Sequence, residues 1–332
     1  PLGQSRRAER GHLMKCLVTG GVGFIGSHLV QRLQVLGHDV TVLDKDAYPP
    51  SLREDVALFW RWDVKPDWVF HLAALTDVIP SIEKPVSYLQ SNVMGTARLL
   101  EFAVATGVKR FIYASSTSIY GIPQEYPTPE TAPAAPQYPY ALSKWLGEEA
   151  VMHWGQVYKL PVVALRPTTV YGPGMVHHRQ GYGSAIKVFL AQKANGAPYT
   201  VVGDGSQSRD FVHIDDVVEA FIRAAESDIS GEAFNVGYGQ PRTINELLAL
   251  LGESHGRVYV PKRPGEPDMT WADIRKIKRA LGWEPKVNLE QGVLTLLANL
   301  DEWRSQKVWT PEDIEYATKS WFRFLGKESV KP

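Results

Sequence analysis

The first 45 residues show a change of hydrophobic period that predicts successive structural elements. An apolar run over 15–19 precedes a glycine-rich turn over 20–26, apolar positions with helical spacing then reach Leu36, and a second apolar run covers 39–43. Strand, turn, helix and strand in this order form a βαβ unit. The alternation continues with predicted strands at 68–72, 110–114, 162–165 and 233–236 and predicted helices at 85–106, 140–158 and 215–225. The pattern therefore predicts an α/β protein whose parallel sheet is covered by helices on both faces.

Between the second strand and the strand at Trp68 the chain is too short for the usual layout. A third strand is predicted over 57–62, which leaves only 64–67 before Trp68. A parallel crossover normally takes a dozen or more residues, whereas four extended residues reach only about 14 Å. We therefore expect the third strand to be short or displaced.

Beyond Tyr171 the pattern changes. Gly172-Pro173-Gly174 opens a glycine-rich stretch, and short predicted helices separated by Pro and Gly follow. We expect a second, smaller region that contributes residues over the carboxyl edge of the sheet, where ligands bind in doubly wound folds. The stretch 309–325 predicts an amphipathic helix that covers either the core or an oligomer contact.

Composition and charge exclude several classes of protein. Lys+Arg and Asp+Glu both total 36, so no net positive field attracts nucleic acid or an anionic membrane, and neither is expected as a partner. No run of about 18 apolar residues is present, and 1–13 lacks the apolar core of a secretory signal, so we interpret it as a tag or disordered leader before Met14. Cys16 is the single cysteine and lies in an apolar run. It is therefore expected to be a buried small hydrophobe, and its isolation suits a reducing, cytoplasmic compartment.

A glycine motif, Thr19-Gly-Gly-Val-Gly-Phe-Ile-Gly26, lies between the first strand and the first helix. Gly20, Gly23 and Gly26 would permit a sharp turn, close approach of a pyrophosphate and close packing of helix on strand. The helix N-terminus would then offer unpaired N–H groups to the phosphates. Asp44 ends the second strand, where a carboxylate accepts a hydrogen bond from the adenosine ribose and repels a 2′-phosphate. The motif predicts a dinucleotide site that prefers NAD to NADP.

Two further motifs carry groups that can move protons. Tyr140 and Lys144 are spaced i, i+4 on a predicted helix, so both side chains share one face. A free tyrosine has a pKa of about 10, and a nearby cation favours the phenolate that a general base requires. A cluster of hydroxyl residues, 115–118, follows the strand at 110–114. No metal site is predicted, because the adjacent pair His177-His178 lacks convergent Cys, Asp or Glu spacing and is interpreted as a solvated loop pair.

Taken together, these motifs resemble one family. From Met14 to about Leu297 the chain is similar to the extended short-chain dehydrogenase/reductases of the NAD-dependent nucleotide-sugar epimerase/dehydratase family. The motifs that carry the resemblance are Gly20-x-x-Gly-x-x-Gly26, His71-Leu-Ala-Ala74, Asn92-Val-Met-Gly-Thr96, Ser115-Ser-Thr-Ser-Ile-Tyr-Gly121, Tyr140-x-x-x-Lys144 and Arg209-Asp-Phe-Val-His213. The resemblance implies a Rossmann-type doubly wound parallel sheet with a smaller C-terminal substrate-binding region, NAD as cofactor, and a nucleotide-sugar as substrate.

The resemblance also implies a role for each matching residue. Tyr140 matches the catalytic base, Lys144 matches its partner, which also binds the nicotinamide ribose, and Ser116 matches the hydroxyl that bonds the reacting sugar oxygen. The positions that match NAD contacts, besides Gly20, Gly23, Gly26 and Asp44, are Phe24, Ile25, Asp63, Val64, Leu72, Ala73, Ala74 and Asn92. Arg209 and Arg263 match positions that grip the substrate diphosphate, a task suited to guanidinium groups.

Three threonines mark departures from the family pattern. Thr169 stands at a phosphate contact where sugar epimerases often carry Asn. Dehydratases of the group carry an Asp-Glu pair directly after the catalytic hydroxyl residue, whereas this chain has Thr117 and Ser118, which cannot act as the acid and base that eliminate water. This difference favours epimerisation, with Thr117 among the substrate-binding positions. Thr270 matches a pocket position that is bulky in members restricted to plain hexoses, so room for an N-acetyl or other larger substituent is expected.

The sequence therefore predicts an NAD-dependent epimerase of a nucleotide-diphosphate sugar, acting on a UDP-sugar at C4 through a transient 4-keto intermediate. The alternatives are a dehydratase, decarboxylase or net oxidoreductase of a nucleotide-sugar, and a non-catalytic NAD-binding protein. The predicted domains are an NAD-binding domain over 14–172, to which 207–237 returns, and a substrate-binding region over 173–206 and 238–332. By family analogy we expect a homodimer formed through the helices that follow Pro85 and Tyr140.

Overall fold

The computed structural model describes residues 13–47, 51–59, 63–178, 184–252 and 254–326 of the 332-residue chain. The strands in these ranges are β1 (Lys15–Thr19), β2 (Asp39–Asp44), β3 (Leu52–Arg53), β4 (Trp68–His71), β5 (Arg110–Ala114), β6 (Val162–Pro167), β7 (Thr169–Tyr171), β8 (Tyr199–Val202), β9 (Ser208–His213), β10 (Glu232–Val236), β11 (Pro241–Thr243) and β12 (Arg257–Val260). The helices are α1 (Phe24–Val35), α2 (Val78–Glu83), α3 (Pro85–Leu89), α4 (Gly95–Thr106), α5 (Pro139–Tyr158), α6 (Ala185–Ala194), α7 (Ile214–Glu226), α8 (Ile244–Leu251), α9 (Arg275–Leu281), α10 (Leu289–Ala298) and α11 (Pro311–Leu325).

Seven parallel strands form the central sheet in the order β10-β6-β5-β4-β1-β2-β3. β4 and β5 are buried at every position, as expected of strands with both faces covered. Direction along the sheet reverses at β1, which pairs with β2 on one side and with β4 on the other. The predicted doubly wound parallel sheet is confirmed, and its switch point lies between β1 and β4.

Helices cover both faces of this sheet because successive strand residues point in opposite directions. Cys16 and Val18 of β1 belong to a core cluster that includes Leu29 of α1 and Phe221 of α7. Leu17, between them, belongs to a cluster built with α4 and α5. Cys16 is 1% exposed, and burial raises the pKa of its thiol to about 12, so the predicted small buried hydrophobe is confirmed.

The third strand differs from its predicted location. β3 is the two-residue segment Leu52–Arg53, and Val56–Leu58 forms a 3-10 turn where a strand was predicted over 57–62. Residues 60–62 lie outside the described ranges. The predicted bounds are wrong, whereas the expectation of a short or displaced strand is confirmed. Because β3 lies earlier in the sequence than predicted, the segment 54–67 connects it to β4. This segment has the length that a parallel crossover requires.

The predicted helix over 85–106 is divided into α3 and α4 by a π turn, Gln90–Met94. A π turn has i→i+5 hydrogen bonds, so it rotates the side chains that follow it relative to those of a regular α-helix. Such turns are frequent at functional sites. Here the turn buries Asn92, which is 1% exposed. The amide of Asn92 therefore lies inside the molecule, close to the loop that follows β4.

The second region forms two small sheets and a separate core. One sheet has the order β11-β9-β7 and the other pairs β12 with β8. Its core cluster includes Tyr171, Phe189, Leu247 and Trp303. Within the described ranges, no helix is both long and apolar enough to cross a bilayer.

The predicted C-terminal helix is present as α11. Thr310 and Asp313 form a capping box at its start, and Pro311 occupies the first turn, where its missing N–H costs nothing. Ile314, Thr318 and Trp321 are buried at the i, i+4, i+7 spacing of one helix face. That face packs on α2 and β12 of the same chain. Of the two predicted roles for this helix, covering the interior is therefore observed.

Candidate active site

The predicted functional residues lie on loops that follow neighbouring parallel strands. The carboxyl ends of β1, β4, β5 and β6 share one edge of the sheet, as their pairing register requires. The glycine loop follows β1, and the segment 72–75 follows β4. Ser116 follows β5. The fold thus brings segments far apart in sequence to one edge, at the switch point where ligands of doubly wound sheets bind.

The glycine loop is closed by its own backbone. Gly20 has a φ of 71°, and a Cβ there would lie 2.6 Å from the backbone N of Ala73. A Cβ on Gly26 would lie 2.1 Å from the carbonyl oxygen of Gly20, so α1 approaches the loop more closely than any side chain permits. Within the described residues no side chain caps the first turn of α1, which also lacks an acidic residue. Its free N–H groups fit the pyrophosphate of a dinucleotide.

Asp44 lies beside this loop at the end of β2. Its Oδ2 accepts the backbone N–H of Val22 at 3.2 Å, and its Oδ1 accepts that of Asp46 at 3.1 Å. These bonds fix the carboxylate against the glycine loop and leave further acceptor capacity on both oxygens. Asp44 is therefore placed where the sequence predicts a ribose acceptor.

A buried chain of hydrogen bonds that the sequence did not predict supports the loop after β4. The His71 ring contacts Thr19 Oγ1 at 2.7 Å and Thr96 Oγ1 at 2.9 Å. Thr19 Oγ1 also accepts the backbone N–H of Ala73 at 3.2 Å. Burial, and secondarily the charge of Lys144, lowers the pKa of His71 to about 3, so the ring is neutral. His71 thereby ties β1, β4 and α4 together beneath the predicted cofactor-lining residues Leu72, Ala73 and Ala74.

The side chain of Asn92 has a bracing role in the structure. Its Oδ1 accepts the N–H of Leu75 at 2.8 Å, and its Nδ2 donates to the carbonyl of Leu75 and to Ser143 Oγ, both at 2.9 Å. Ser143 Oγ in turn donates to the carbonyl of Tyr140 at 2.8 Å. Asn92 was predicted near the dinucleotide, and these bonds make its contribution one of holding the loop after β4 against α5.

The hydroxyl cluster forms the turn that leads out of β5. Ser116 is the N-cap of the 3-10 turn Thr117–Tyr120, and its Oγ accepts the N–H of Ser118 at 3.1 Å. Thr117 Oγ1 donates to the carbonyl of Pro167 at 3.2 Å and so links this turn to β6. The turn packs against α5, which carries Tyr140 and Lys144. The catalytic positions implied by the sequence are therefore neighbours in the fold.

Lys144 carries an ammonium group inside the protein. The residue is 3% exposed, and its Nζ lies 4.4 Å from the ring centroid of Tyr113. Burial lowers the pKa of Lys144 to about 7, and Glu148 one turn later acts in the opposite direction. Tyr140, one turn before Lys144, is partly exposed at the start of α5. A phenolate at Tyr140 would favour the ammonium form of Lys144, since opposite charges stabilise each other in a medium of low dielectric.

Arg209 and Arg263 line a separate cavity of about 200 Å³ in the second region. Both guanidinium groups bind one carboxylate: Arg209 Nη2 lies 2.9 Å from Glu266 Oε1, and Arg263 Nε lies 2.8 Å from Glu266 Oε2. Glu266 was not predicted as a site residue, although its position three residues after Arg263 could have indicated an ion pair. Two clustered cations at a cavity wall fit the predicted diphosphate site. The remaining residues that line the cavity are Thr169, Val170, Ser184, Ala185, Val188, Phe189, Thr200, Val202, Gln207, Phe211 and Ile244.

Other predicted positions lie at different distances from this cavity. Thr169 lines it from β7, which pairs with β9 beside Arg209. Thr270 Oγ1 accepts the N–H of Asp210 at 3.2 Å, so its hydroxyl is bound to the strand that carries Arg209. Asp63 is exposed and Val64 is partly buried, next to the undescribed residues 60–62. Their predicted contact with adenine stays a prediction.

The histidine pair is only partly the solvated pair that was predicted. His177 is exposed, whereas His178 is partly buried, with its ring centroid 6.0 Å from that of Phe24. Across the described ranges, no group of three or more His, Cys, Asp or Glu residues is arranged to hold a metal ion.

A parallel sheet of this strand order, with a glycine loop at its switch point and an acid at the end of β2, defines a dinucleotide-binding enzyme of the Rossmann class. The model of the NAD dependent epimerase/dehydratase family matches residues 16–237. The chain therefore belongs to the NAD dependent epimerase/dehydratase family, as the sequence motifs predicted. NAD as the cofactor and an NAD-dependent enzyme of the epimerase type are likewise confirmed.

Known relatives match over nearly their whole length. The UDP-glucose 4-epimerase of Mycolicibacterium smegmatis is 35% identical over 303 residues, covering 84% of this chain and 96% of that enzyme. The solved UDP-glucuronic acid 4-epimerase of Bacillus cereus, in complex with UDP-glucuronic acid and NAD, is 32% identical with a TM-score of 0.79, covering 87% of this chain and 98% of its own. The UDP-N-acetylglucosamine 4-epimerase of Methanobrevibacter ruminantium, in complex with UDP-N-acetylmuramic acid, is 30% identical with a TM-score of 0.80, covering 87% and 100%.

The buried ammonium of Lys144 generates a prediction about pH. Because its pKa falls from 10.5 to about 7, the unfolded chain holds more protons than the folded chain between these values, and stability rises with pH across that window. Lys144→Met removes this term. Relative to the variant, the NAD-free wild type should gain roughly 2–3 kcal/mol of stability between pH 6 and pH 9.

Thermal unfolding of both NAD-free proteins at the two pH values measures this difference, which corresponds to about 5 °C in Tm. Lys65→Met, which removes an exposed lysine in the loop before β4, serves as the matched control and should follow the wild type. A Tm difference between Lys144→Met and wild type that is the same at both pH values would contradict the assignment.

Proposed function

We propose that this enzyme inverts C4 of a UDP-sugar through a transient 4-keto intermediate. The observation that carries the proposal is the placement of Tyr140 and the buried Lys144 on the first two turns of α5, packed against the turn that holds Ser116. Ser116 follows β5, at the same edge of the sheet as the glycine loop that follows β1. A proton-accepting phenol and a dinucleotide site on one edge of the sheet suit oxidation of a carbinol.

In the proposed reaction, Tyr140 as phenolate removes the proton from the C4 hydroxyl. Ser116 donates a hydrogen bond to the reacting oxygen, and Lys144 keeps the phenol ionised and binds the nicotinamide ribose. Bound NAD supplies a reversible acceptor for the C4 hydride. Gly20, Gly23 and Gly26 and the N-terminus of α1 would hold its pyrophosphate, with Asp44 at the adenosine ribose.

The diphosphate anchor explains how one site can invert a carbon. Arg209 and Arg263 would bind the diphosphate, so the keto-sugar can turn over about its linkage without leaving the enzyme. The hydride then returns to the opposite face, and Tyr140 returns the proton. Thr117 supports epimerisation over elimination of water, because its hydroxyl is bonded to the carbonyl of Pro167 and has no acid or base function.

The proposed division of labour follows the two regions of the fold. The segments 14–172 and 207–237 would bind NAD, and the segments 173–206 and 238–332 would bind the nucleotide-sugar. The contribution of β10 to the central sheet supports the first assignment. Arg263 and Glu266 at the cavity support the second, while Arg209 of β9 lies at the boundary between the two.

The direct test is incubation of the purified enzyme with UDP-, GDP-, CDP- and dTDP-sugars, with products identified by NMR. We expect UDP-glucose and UDP-galactose to interconvert without accumulation of NADH at 340 nm. Because Thr270 is small, UDP-N-acetylglucosamine should also be epimerised. Turnover of UDP-glucose without UDP-N-acetylglucosamine would refute the role of Thr270, and a keto, dehydrated or decarboxylated product would refute epimerisation.

Tyr140→Phe tests the proposed base. Loss of the phenol should lower kcat by about 10³-fold, since general base catalysis contributes 10²–10⁴-fold. NAD content and UDP affinity should stay at wild-type values, measured by absorbance after denaturation and by calorimetry. Tyr158→Phe, at the exposed end of the same helix, is the matched control and should retain full activity. A fully active Tyr140→Phe enzyme would exclude Tyr140 as the base.

A homodimer through α3, α4 and α5 is the proposed assembly. Exposed apolar side chains on these helices and on the π turn between α3 and α4 support it: Val86 is 63%, Met94 is 54% and Val157 is 51% exposed. Sedimentation velocity should report a dimer that Met94→Glu weakens, because a charge would be buried at the interface. Val35→Glu, at an even more exposed site on α1, should leave the dimer intact, and a monomeric wild type would contradict the proposal.

A further inference from the structure

Trp321 of α11 contacts the substrate side of the molecule from outside the residues that the family model matches. Its side chain is 3% exposed. Its indole Nε1 donates to the carbonyl of Pro264 at 2.7 Å. This bond fixes the backbone directly after Arg263. A large ring at the end of the chain is thus anchored to the loop that supplies the cavity with a cation.

The indole also contacts the guanidinium of Arg263. The Cζ atom of Arg263 lies 5.4 Å from the Trp321 ring, within the range of a cation–π interaction. On another side the same guanidinium binds Glu266, with Nε 2.8 Å from Oε2. An arginine side chain loses considerable rotamer freedom when it is ordered. Contacts that order it before ligand binding therefore lower the entropy cost of gripping an anion.

A second contact of Trp321 leads towards the predicted base. The rings of Trp321 and Tyr138 lie 5.6 Å apart, and the ring of Tyr138 is stacked on that of Tyr140 at 6.5 Å with an interplanar angle of 7°. Burial, followed by the neighbouring Tyr140, raises the pKa of Tyr138, so it stays protonated. The indole is therefore separated by one neutral ring from the phenol of Tyr140.

The segment that carries Trp321 is fixed to the rest of the chain at several points. Ser320 Oγ donates to Glu83 Oε1 of α2 at 3.1 Å. The carbonyl of Trp309 accepts Gln192 Nε2 at 2.8 Å, and the same amide nitrogen donates to Thr200 Oγ1 at 2.7 Å. Thr200 lines the cavity. The C-terminal segment thus contacts Arg263 directly and Thr200 indirectly, through Gln192.

We propose that Trp321 is a positioning residue for the substrate diphosphate, and that α11 supports the nucleotide-sugar site from behind the residues that line its cavity. Trp321 orders the guanidinium of Arg263 for two anionic phosphates through its ring face and through the bond to Pro264. The inference rests on the proposed function, since it requires Arg263 to bind the diphosphate. It adds a specific role for a helix that the family resemblance does not include.

Calorimetric titration of the NAD-loaded enzyme with UDP, dTDP, GDP and CDP provides the test. The tightest of the four ligands for the wild type, expected to be UDP, is used for all variants. Trp321→Ala should raise the Kd of this ligand about tenfold, because the ring contact to a shielded arginine is worth about 1–2 kcal/mol. Trp321→Phe keeps an aromatic face and should recover most of that affinity.

A double-mutant cycle separates positioning from general destabilisation. Arg263→Ala alone should weaken the binding of UDP. Adding Trp321→Ala to it should cause little further loss of affinity, since Trp321 acts through Arg263. The matched control is Trp283→Phe: Trp283 is 1% exposed and its Nε1 donates to the carbonyl of Asp216 at 2.9 Å, within the core beside α7. That variant should lower Tm without changing the Kd for UDP.

The outcomes distinguish the two proposals. Failure of the wild type to bind any of the four nucleoside diphosphates would overturn the proposed function and, with it, the role of Trp321. Wild-type binding with an unchanged Kd in Trp321→Ala would overturn only the role of Trp321. Additive losses in the double mutant would also overturn it, because they would show that Trp321 does not act through Arg263.

Discussion

The site depends on an ammonium group held inside the protein. In a medium of low dielectric a lone charge is costly, so Lys144 needs partners that favour its charged form. The ring face of Tyr113 and the carboxylate of Glu148 are the partners that α5 and β5 provide. They do not fully compensate for burial, and the remaining imbalance makes a phenolate nearby favourable. A negative charge close to Lys144, such as the phenolate in the proposed reaction, would reduce this imbalance.

That constraint shapes the surrounding structure. A protonated histidine next to Lys144 would add a second buried cation, and the neutral state of His71 avoids this. The neutral ring of His71 instead forms one hydrogen bond with Thr19 and another with Thr96, accepting one and donating the other. These bonds fix the position of the loop after β4. In the cavity of the second region, Arg209 and Arg263 share the carboxylate of Glu266. A diphosphate that binds there competes with a carboxylate already in place.

The parts of the fold that were predictable from sequence are those determined by local spacing. Gly20 to Gly26 and the pair Tyr140 and Lys144 each need only a turn or a helix face, and the apolar strands follow from burial on both sides. The bounds of β3 and the π turn at 90–94 were missed, because both depend on what packs against them. Trp321 was missed for the same reason, since its contact to Arg263 connects separate segments of the second region. Glu266 was missed although it follows Arg263 by only three residues.

The pairing of β10 with β6 has a consequence for how the chain folds. β6 ends at Pro167 and β10 begins at Glu232. During synthesis the edge of β6 therefore stays unpaired until more than sixty intervening residues have been added. An exposed strand edge can pair with a strand of another chain. The buried Arg110 of β5 donates to the carbonyls of Ala224 and Ile229, which also arrive late. The dinucleotide half of the molecule therefore matures only after much of its neighbour has emerged, which favours cooperative folding of both and exposes truncated chains to aggregation.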